Sequence, residues 1–206
     1  MGQPIPKQFI KLKGRSILSH TISRVANLQL DGIWVTLPKD SLQEGKVLIT
    51  KELPEIKVQF VAGGKTRFSS IENALKVIPD SNDAIVCVHD GVRPFASEKL
   101  FLECFKTAEE FDSGVSGLAS KNTVRLKDGN GFSLLDRNKV FLIQTPQCFK
   151  LQMLKKAYLE AESDDFTDDG AVFENKYKTL QIVAGEEENI KITTPSDLRI
   201  AEAFLN

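Results

Sequence analysis

Four short stretches of the chain carry side chains able to do chemistry. In "VCVHDGVRPF" an apolar run gives way to His89, Asp90 and Arg93 within five positions. A carboxylate leaving a hydrophobic strand needs a cation, because an unpaired charge there is costly. Asp90 therefore either pairs with Arg93 to fix the loop, or faces a metal or a ribose beside a bound nucleotide. His89 by itself reads more readily as a packed histidine than as a general base. In "AGGKTRFSS", Gly63 and Gly64 permit close backbone approach, Lys65 and Arg67 bring positive charge, and Ser69 and Ser70 open a helix. Helix N-termini and adjacent amides bind anions. The G-x-x-x-x-G-K spacing of a Walker loop is absent, and a turn with a helix cap accounts for the same residues. In "NIKITTPSDL", Lys191 stands between Ile190 and Ile192, so in a strand it points opposite to both, toward a cavity or solvent. Near the start, Pro4 and Pro6 stiffen the approach to Lys7, since proline fixes its own φ and extends the residue before it.

The elements that must position these groups alternate along the chain. "GIWVTL" (32–37), "VQFVAG" (58–63) and "AIVCVHD" (84–90) read as strands, the last apolar enough to be buried on both faces. Between the second and third, "SSIENALKVIP" sets Ile71, Ala74, Leu75 and Ile78 on one helical face, with Ser69 and Glu72 as a capping box. "SEKLFLECFKTAEEF" repeats the helical spacing with Leu100, Phe101, Cys104, Phe105 and Ala108. Strand, helix, strand implies βαβ units and a mostly parallel sheet in an α/β fold. In an open sheet of this kind, ligands lie beyond the carboxyl ends of the strands, where "HDGVR" and "GGKTR" fall. "TVRLKDGNGFSLLD" (123–136) breaks the pattern with a turn between two short β-like runs, a hairpin signal. A hairpin protruding from such a core needs a covering surface, which a second subunit could supply. "KLQMLKKAYLEAE" places Leu151, Leu154 and Tyr158 on the inner face of a helix; "TLQIVAG" and "NIKIT" follow. A last helix starts with Thr194 as N-cap and Pro195 at its first position.

Length and composition narrow the classes. The 206 residues suit one domain, with 41% apolar and 27% charged residues, ordinary for a globular protein. A net charge of -1 argues against a nucleic-acid binder with a broad basic face. No apolar run approaches the roughly 20 residues that span a bilayer, and no signal-peptide layout opens the chain. Cys87, Cys104 and Cys148 lack metal-ligand spacing and are odd in number, which points to reduced thiols and the cytoplasm.

Taken in order, "PKQF", "GGKTRFSSIENAL", "VHDGVRPF", "DRNKVFLIQTPQCF", "FTDDGAVFE" and "NIKITTPSDLRIAEAFL" resemble the 2-C-methyl-D-erythritol 4-phosphate cytidylyltransferases over nearly the whole chain. The resemblance implies transfer of CMP from CTP to the sugar-alcohol phosphate, with release of pyrophosphate, in the non-mevalonate route to isoprenoids. It implies a nucleotide-diphosphosugar-transferase-like sheet flanked by helices, and a homodimer clasped through a β-arm at about 119–143. Lys7 resembles the lysine that stabilises charge on the α-phosphate, and Lys191 and Arg137 resemble the residues that hold the incoming phosphomonoester. Thr123 resembles a further phosphate contact, contributed across the dimer along with Arg137. Gly64, Arg67 and Ser70 resemble the cytidine-recognition loop; Asp90 and Arg93 resemble the ribose and metal neighbourhood, with Asp90 toward Mg²⁺. Thr145 and Thr167 fall within the same motifs, Thr145 among the substrate contacts. Joining two anions asks mainly for alignment and charge neutralisation, which these cations and a Mg²⁺ would supply.

In the family, a buried first strand and a glycine-rich loop ending in an arginine precede the Met-Gly that opens this sequence. The resemblance therefore implies that roughly 15–20 residues lie upstream. It also implies that the 206-residue form, lacking the central strand, is unstable or nearly inactive. Two rival readings stay open: a ribitol 5-phosphate cytidylyltransferase, and a truncated, non-catalytic nucleotide-binding relative.

Overall fold

Period-two and period-3.6 apolar spacing sets the order of elements in the computed structural model. It describes residues 6–205; residues 1–5, with Pro4 and Ile5 of the stiffened approach to Lys7, and residue 206 lie outside the described residues. A 3-10 turn at Lys7–Phe9 leads into a small hairpin, β1 (Lys11–Leu12) and β2 (Arg15–Ser16). Helix α1 (Ile17–Ala26) follows, capped by the Ser16 side chain, which accepts from the Ser19 N–H. Then come β3 (Trp34–Leu37), α2 (Leu42–Glu52), β4 (Gln59–Ala62), α3 (Arg67–Val77), β5 (Ile85–Val88) and α4 (Glu98–Phe111). The second half holds β6 (Ser113–Ala119), β7 (Val124–Asp128), β8 (Gly131–Leu135) and β9 (Phe141–Lys150). It ends with α5 (Leu151–Leu159), α6 (Asp169–Tyr177), β10 (Ile182–Ala184) and α7 (Pro195–Phe204).

The sheet is more mixed than the βαβ reading implies. β3 and β4 pair in parallel, and so do β10 and β6, but β9 runs antiparallel to both β6 and β5 in the order β10-β6-β9-β5. Among the described residues, no ladder joins β3–β4 to the four-stranded sheet. Helices bind the two together instead. From α1, Leu18 and Ile22 pack with Leu37 and Val35 of β3, while Val25 reaches the cluster that holds Ile85 and Cys87 of β5. On α3, Leu75, Phe68 and Ile71 pack with Val86 and Val88, and the helix also lies on β3 and β4. β5, expected to be buried on both faces, is half-buried throughout, because among the described residues it has a strand partner on one side only, β9.

Close approach decides one glycine. A Cβ on Gly114 would lie 2.3 Å from the Cys104 carbonyl oxygen, so glycine lets α4 lie against β6. The hairpin expected at 123–136 forms, with Gly129 at φ +54° in a two-residue turn between β7 and β8. Two local expectations need correcting. The α3 capping box is Thr66 with Ser69, three residues earlier than the Ser69–Glu72 reading, because Thr66 is the extended residue before the helix. "NIKIT" is not a strand: the Asn189 carbonyl accepts from Arg93 and Gln144, and the Ile192 N–H donates to the Val92 carbonyl, so the backbone bonds to loops and side chains rather than to a ladder.

Candidate active site

The carboxyl end of β5 delivers His89 and Asp90 into a dense polar network. Arg93 Nε lies 3.1 Å from Asp90 Oδ2, and Lys191 Nζ lies 3.1 Å from the same oxygen. The Asp90 carboxylate thus pairs with Arg93 as a loop fastener, as one reading of the sequence has it, and also holds a second cation 101 positions away in the sequence. Burial alone would raise the Asp90 pKa; Lys191 and Arg93 together outweigh it and hold the carboxyl below its ordinary value. One negative charge between two positive ones leaves a net positive site. Arg93 is nearly buried, whereas the Lys191 side chain is 43% exposed, so the ammonium is the cation that can meet an incoming anion.

Neighbouring groups fix this arrangement. The Asp90 N–H donates to Thr145 Oγ1 (2.9 Å), which also bonds His89 Nδ1 (3.1 Å). His89 Nε2 bonds the Arg93 carbonyl (3.0 Å), and its ring meets Phe101 edge-on. Burial depresses the His89 pKa to about 4, so the imidazole is neutral at pH 7, a packed histidine rather than a base poised near neutrality. Arg93 Nη1 donates to the Asn189 carbonyl (2.7 Å), and Asn189 Nδ2 donates to the Thr145 carbonyl (2.8 Å). The buried Asn189, which sequence reasoning passed over, thereby joins the Lys191 segment to β9.

A second cluster forms at the carboxyl end of β4. The Gly63 N–H donates to the Leu37 carbonyl, and the Gly64 N–H donates to Ser70 Oγ (3.0 Å). Arg67, first residue of α3, forms an ion pair with Asp169, first residue of α6. Burial works against the Arg67 charge, but Asp169 more than compensates and holds the guanidinium firmly protonated. Lys7 is exposed on its 3-10 turn, two residues from Phe9, which packs against Leu37 at the carboxyl end of β3.

Arg137 and Thr123 lie at the root of the β7–β8 hairpin. The Arg137 Nη1 donates to the Lys121 carbonyl (3.1 Å), and neither residue has a hydrogen bond or ion pair with Asp90, Arg93 or Lys191 among the described residues. Thr167 precedes Asp168, whose side chain caps α6 by accepting from the Ala171 N–H. No group of three or more His, Cys, Asp or Glu side chains suited to a metal occurs among the described residues.

The comparisons with known proteins meet this geometry from outside. The sequence profile of the 2-C-methyl-D-erythritol 4-phosphate cytidylyltransferases matches residues 1–206. The chain belongs to that family. A relative of that name from Porphyromonas gingivalis is 37% identical over 206 residues, covering 100% of this chain and 91% of the relative. Another, from Clostridium acetobutylicum, is 37% identical, covering 97% and 89%. Among solved structures, 4-diphosphocytidyl-2C-methyl-D-erythritol synthase from Anaerococcus prevotii superposes with a TM-score of 0.86 at 32% identity, covering 99% of this chain and 92% of that one. The Francisella tularensis cytidylyltransferase gives 0.80 at 32% identity, covering 97% and 93%. Family members are nucleotidyltransferases.

Proposed function

We propose that the protein transfers CMP from CTP to 2-C-methyl-D-erythritol 4-phosphate, supplying an isoprenoid precursor in the cytoplasm. In the reaction an oxygen of the phosphomonoester attacks the α-phosphorus of CTP, the bond from that phosphorus to the bridging oxygen breaks, and pyrophosphate leaves. The observation that carries the reading is the pairing of Lys191 and Arg93 on Asp90, with Lys191 open to solvent. An arriving phosphate competes with Asp90 for the ammonium and is held in line, while Arg93 stays with the carboxylate. Lys7 meets charge developing on the α-phosphate. Gly63 and Gly64 admit the base close to the backbone. Asp90 suits Mg²⁺, a cation that takes one or two carboxylates and draws its other ligands from phosphates and water. When bound, the ion neutralises phosphate charge.

The reading extends to a homodimer. Val124, Leu126 and Leu135 line one face of the β7–β8 hairpin, Phe132 and Leu134 the other, and Leu126, Phe132 and Leu134 are more than half exposed. A ribbon apolar on both faces is stable when a second copy covers it, and Thr123 and Arg137 at its root would then serve the partner's site. Pyrophosphate release is the test, assayed with CTP and Mg²⁺ against methylerythritol phosphate and ribitol 5-phosphate separately. Turnover at least 100-fold faster with the former is expected. Preference for ribitol phosphate, or CTP binding without turnover, would overturn it in favour of the sister enzyme or a non-catalytic binder.

A further inference from the structure

Arg67 begins a helix, where a positive charge opposes the helix dipole. It stays there because the fully buried Asp169 faces it from the start of α6. Tyr158 of α5 donates its hydroxyl to the other Asp169 oxygen at 2.5 Å, and its ring stacks on Phe68, beside Arg67, with centroids 4.5 Å apart. The Asp169 carboxylate and burial both keep the Tyr158 hydroxyl protonated, as a donor must be. The α6 start is fixed in turn to β9: Gln147 Nε2 donates to Asp168 Oδ2 (2.8 Å), and the Gly170 N–H donates to Gln147 Oε1 (2.9 Å). Gln147 stands two residues from Thr145, which holds the Asp90 backbone. A buried carboxylate with both oxygens satisfied is a rigid anchor, and this one pins the loop 63–67 at its helical end.

We infer that Asp169, held by Tyr158, is a positioning residue that sets the geometry of the Gly63–Ser70 loop through Arg67, and with it the discrimination of the nucleotide base. The inference rests on the proposed role of that loop in cytidine binding. With its charge committed to Asp169, Arg67 acts on the loop backbone rather than as a free cation for phosphate. Reading a base edge by backbone groups tolerates little displacement, so loosening the anchor weakens selection more than it weakens the phosphate contacts.

The test is calorimetric binding of CTP and UTP to the whole chain and to Asp169→Asn, Arg67→Lys and Tyr158→Phe. Asp169→Asn is expected to weaken CTP binding about 10- to 100-fold and to reduce the CTP/UTP preference by at least fivefold. Tyr158→Phe, which leaves the ion pair and the ring stacking intact, is expected to cost CTP binding about fivefold and to lower the same ratio. Should Asp169→Asn fail to fold, Tyr158→Phe and Arg67→Lys decide. An unchanged CTP/UTP ratio, within twofold, in every folded variant overturns the inference even where stability falls. Absence of CTP binding by the parent chain would instead defeat the functional proposal on which it stands.

Discussion

Charge at single residues separates binding from folding in this site. Lys191 is 43% exposed, and exposed ion pairs contribute little to stability, so Lys191→Met should cost under about 1 kcal/mol. The same change removes the cation available to the phosphomonoester and should lower turnover about 10²- to 10³-fold. Steady-state pyrophosphate release beside a thermal melt separates the two effects. Asp90→Asn behaves differently, because it strands the nearly buried Arg93; a loss of about 3 kcal/mol is expected in urea unfolding, together with loss of turnover. His89 gives a pH signature. The unfolded chain takes up its proton below 6.5, whereas the folded one resists until about 4, so this contribution is complete above pH 6.5 and is lost as pH falls toward 4. It amounts to at most about 3 kcal/mol. An NMR titration should show the ring uncharged at pH 6; a midpoint near 6.5 would contradict the packing described.

Elements were legible where their signals are local. Thr194 and Pro195 start α7 as their types require, with Asp197 completing a capping box, and Ser97 caps α4. Thr194→Ala should therefore cost about 1 kcal/mol, read as a lowered melting temperature with turnover unaffected. Signals failed where a distant partner decided the outcome. The Ile190–Lys191–Ile192 alternation suggested a strand, but Arg93 and Gln144 claim the Asn189 carbonyl. The Arg67–Asp169 pair spans 102 positions, and nothing in "FTDDGAVFE" distinguishes the buried Asp169 from the capping Asp168. Apolar content alone suggested a doubly buried β5, yet burial also depends on which strands lie alongside.

The whole molecule gathers charge from distant parts of the chain at one edge of its strands. Residues 90, 93 and 191 meet there, although the motifs assign Asp90 and Arg93 one role and Lys191 another. Arg137 and Thr123 lie at the hairpin root and bond to none of these three among the described residues, so under the dimer proposal a second copy would complete the site. Phe132→Asp with Leu134→Asp should shift the protein to monomer in sedimentation, with turnover falling at least tenfold; a monomeric parent chain would contradict that proposal.

The central claim is that cations around Asp90 bring a phosphomonoester onto the α-phosphate of a nucleotide. Phosphorus NMR of the protein with CTP, Mg²⁺ and methylerythritol phosphate tests it most directly. The account predicts that the phosphomonoester signal converts, one for one with pyrophosphate, into a coupled pair of diphosphate signals, and that Lys191→Met slows this at least 100-fold. Pyrophosphate appearing equally fast without the phosphomonoester, or a Lys191→Met rate within threefold of the parent, would contradict it.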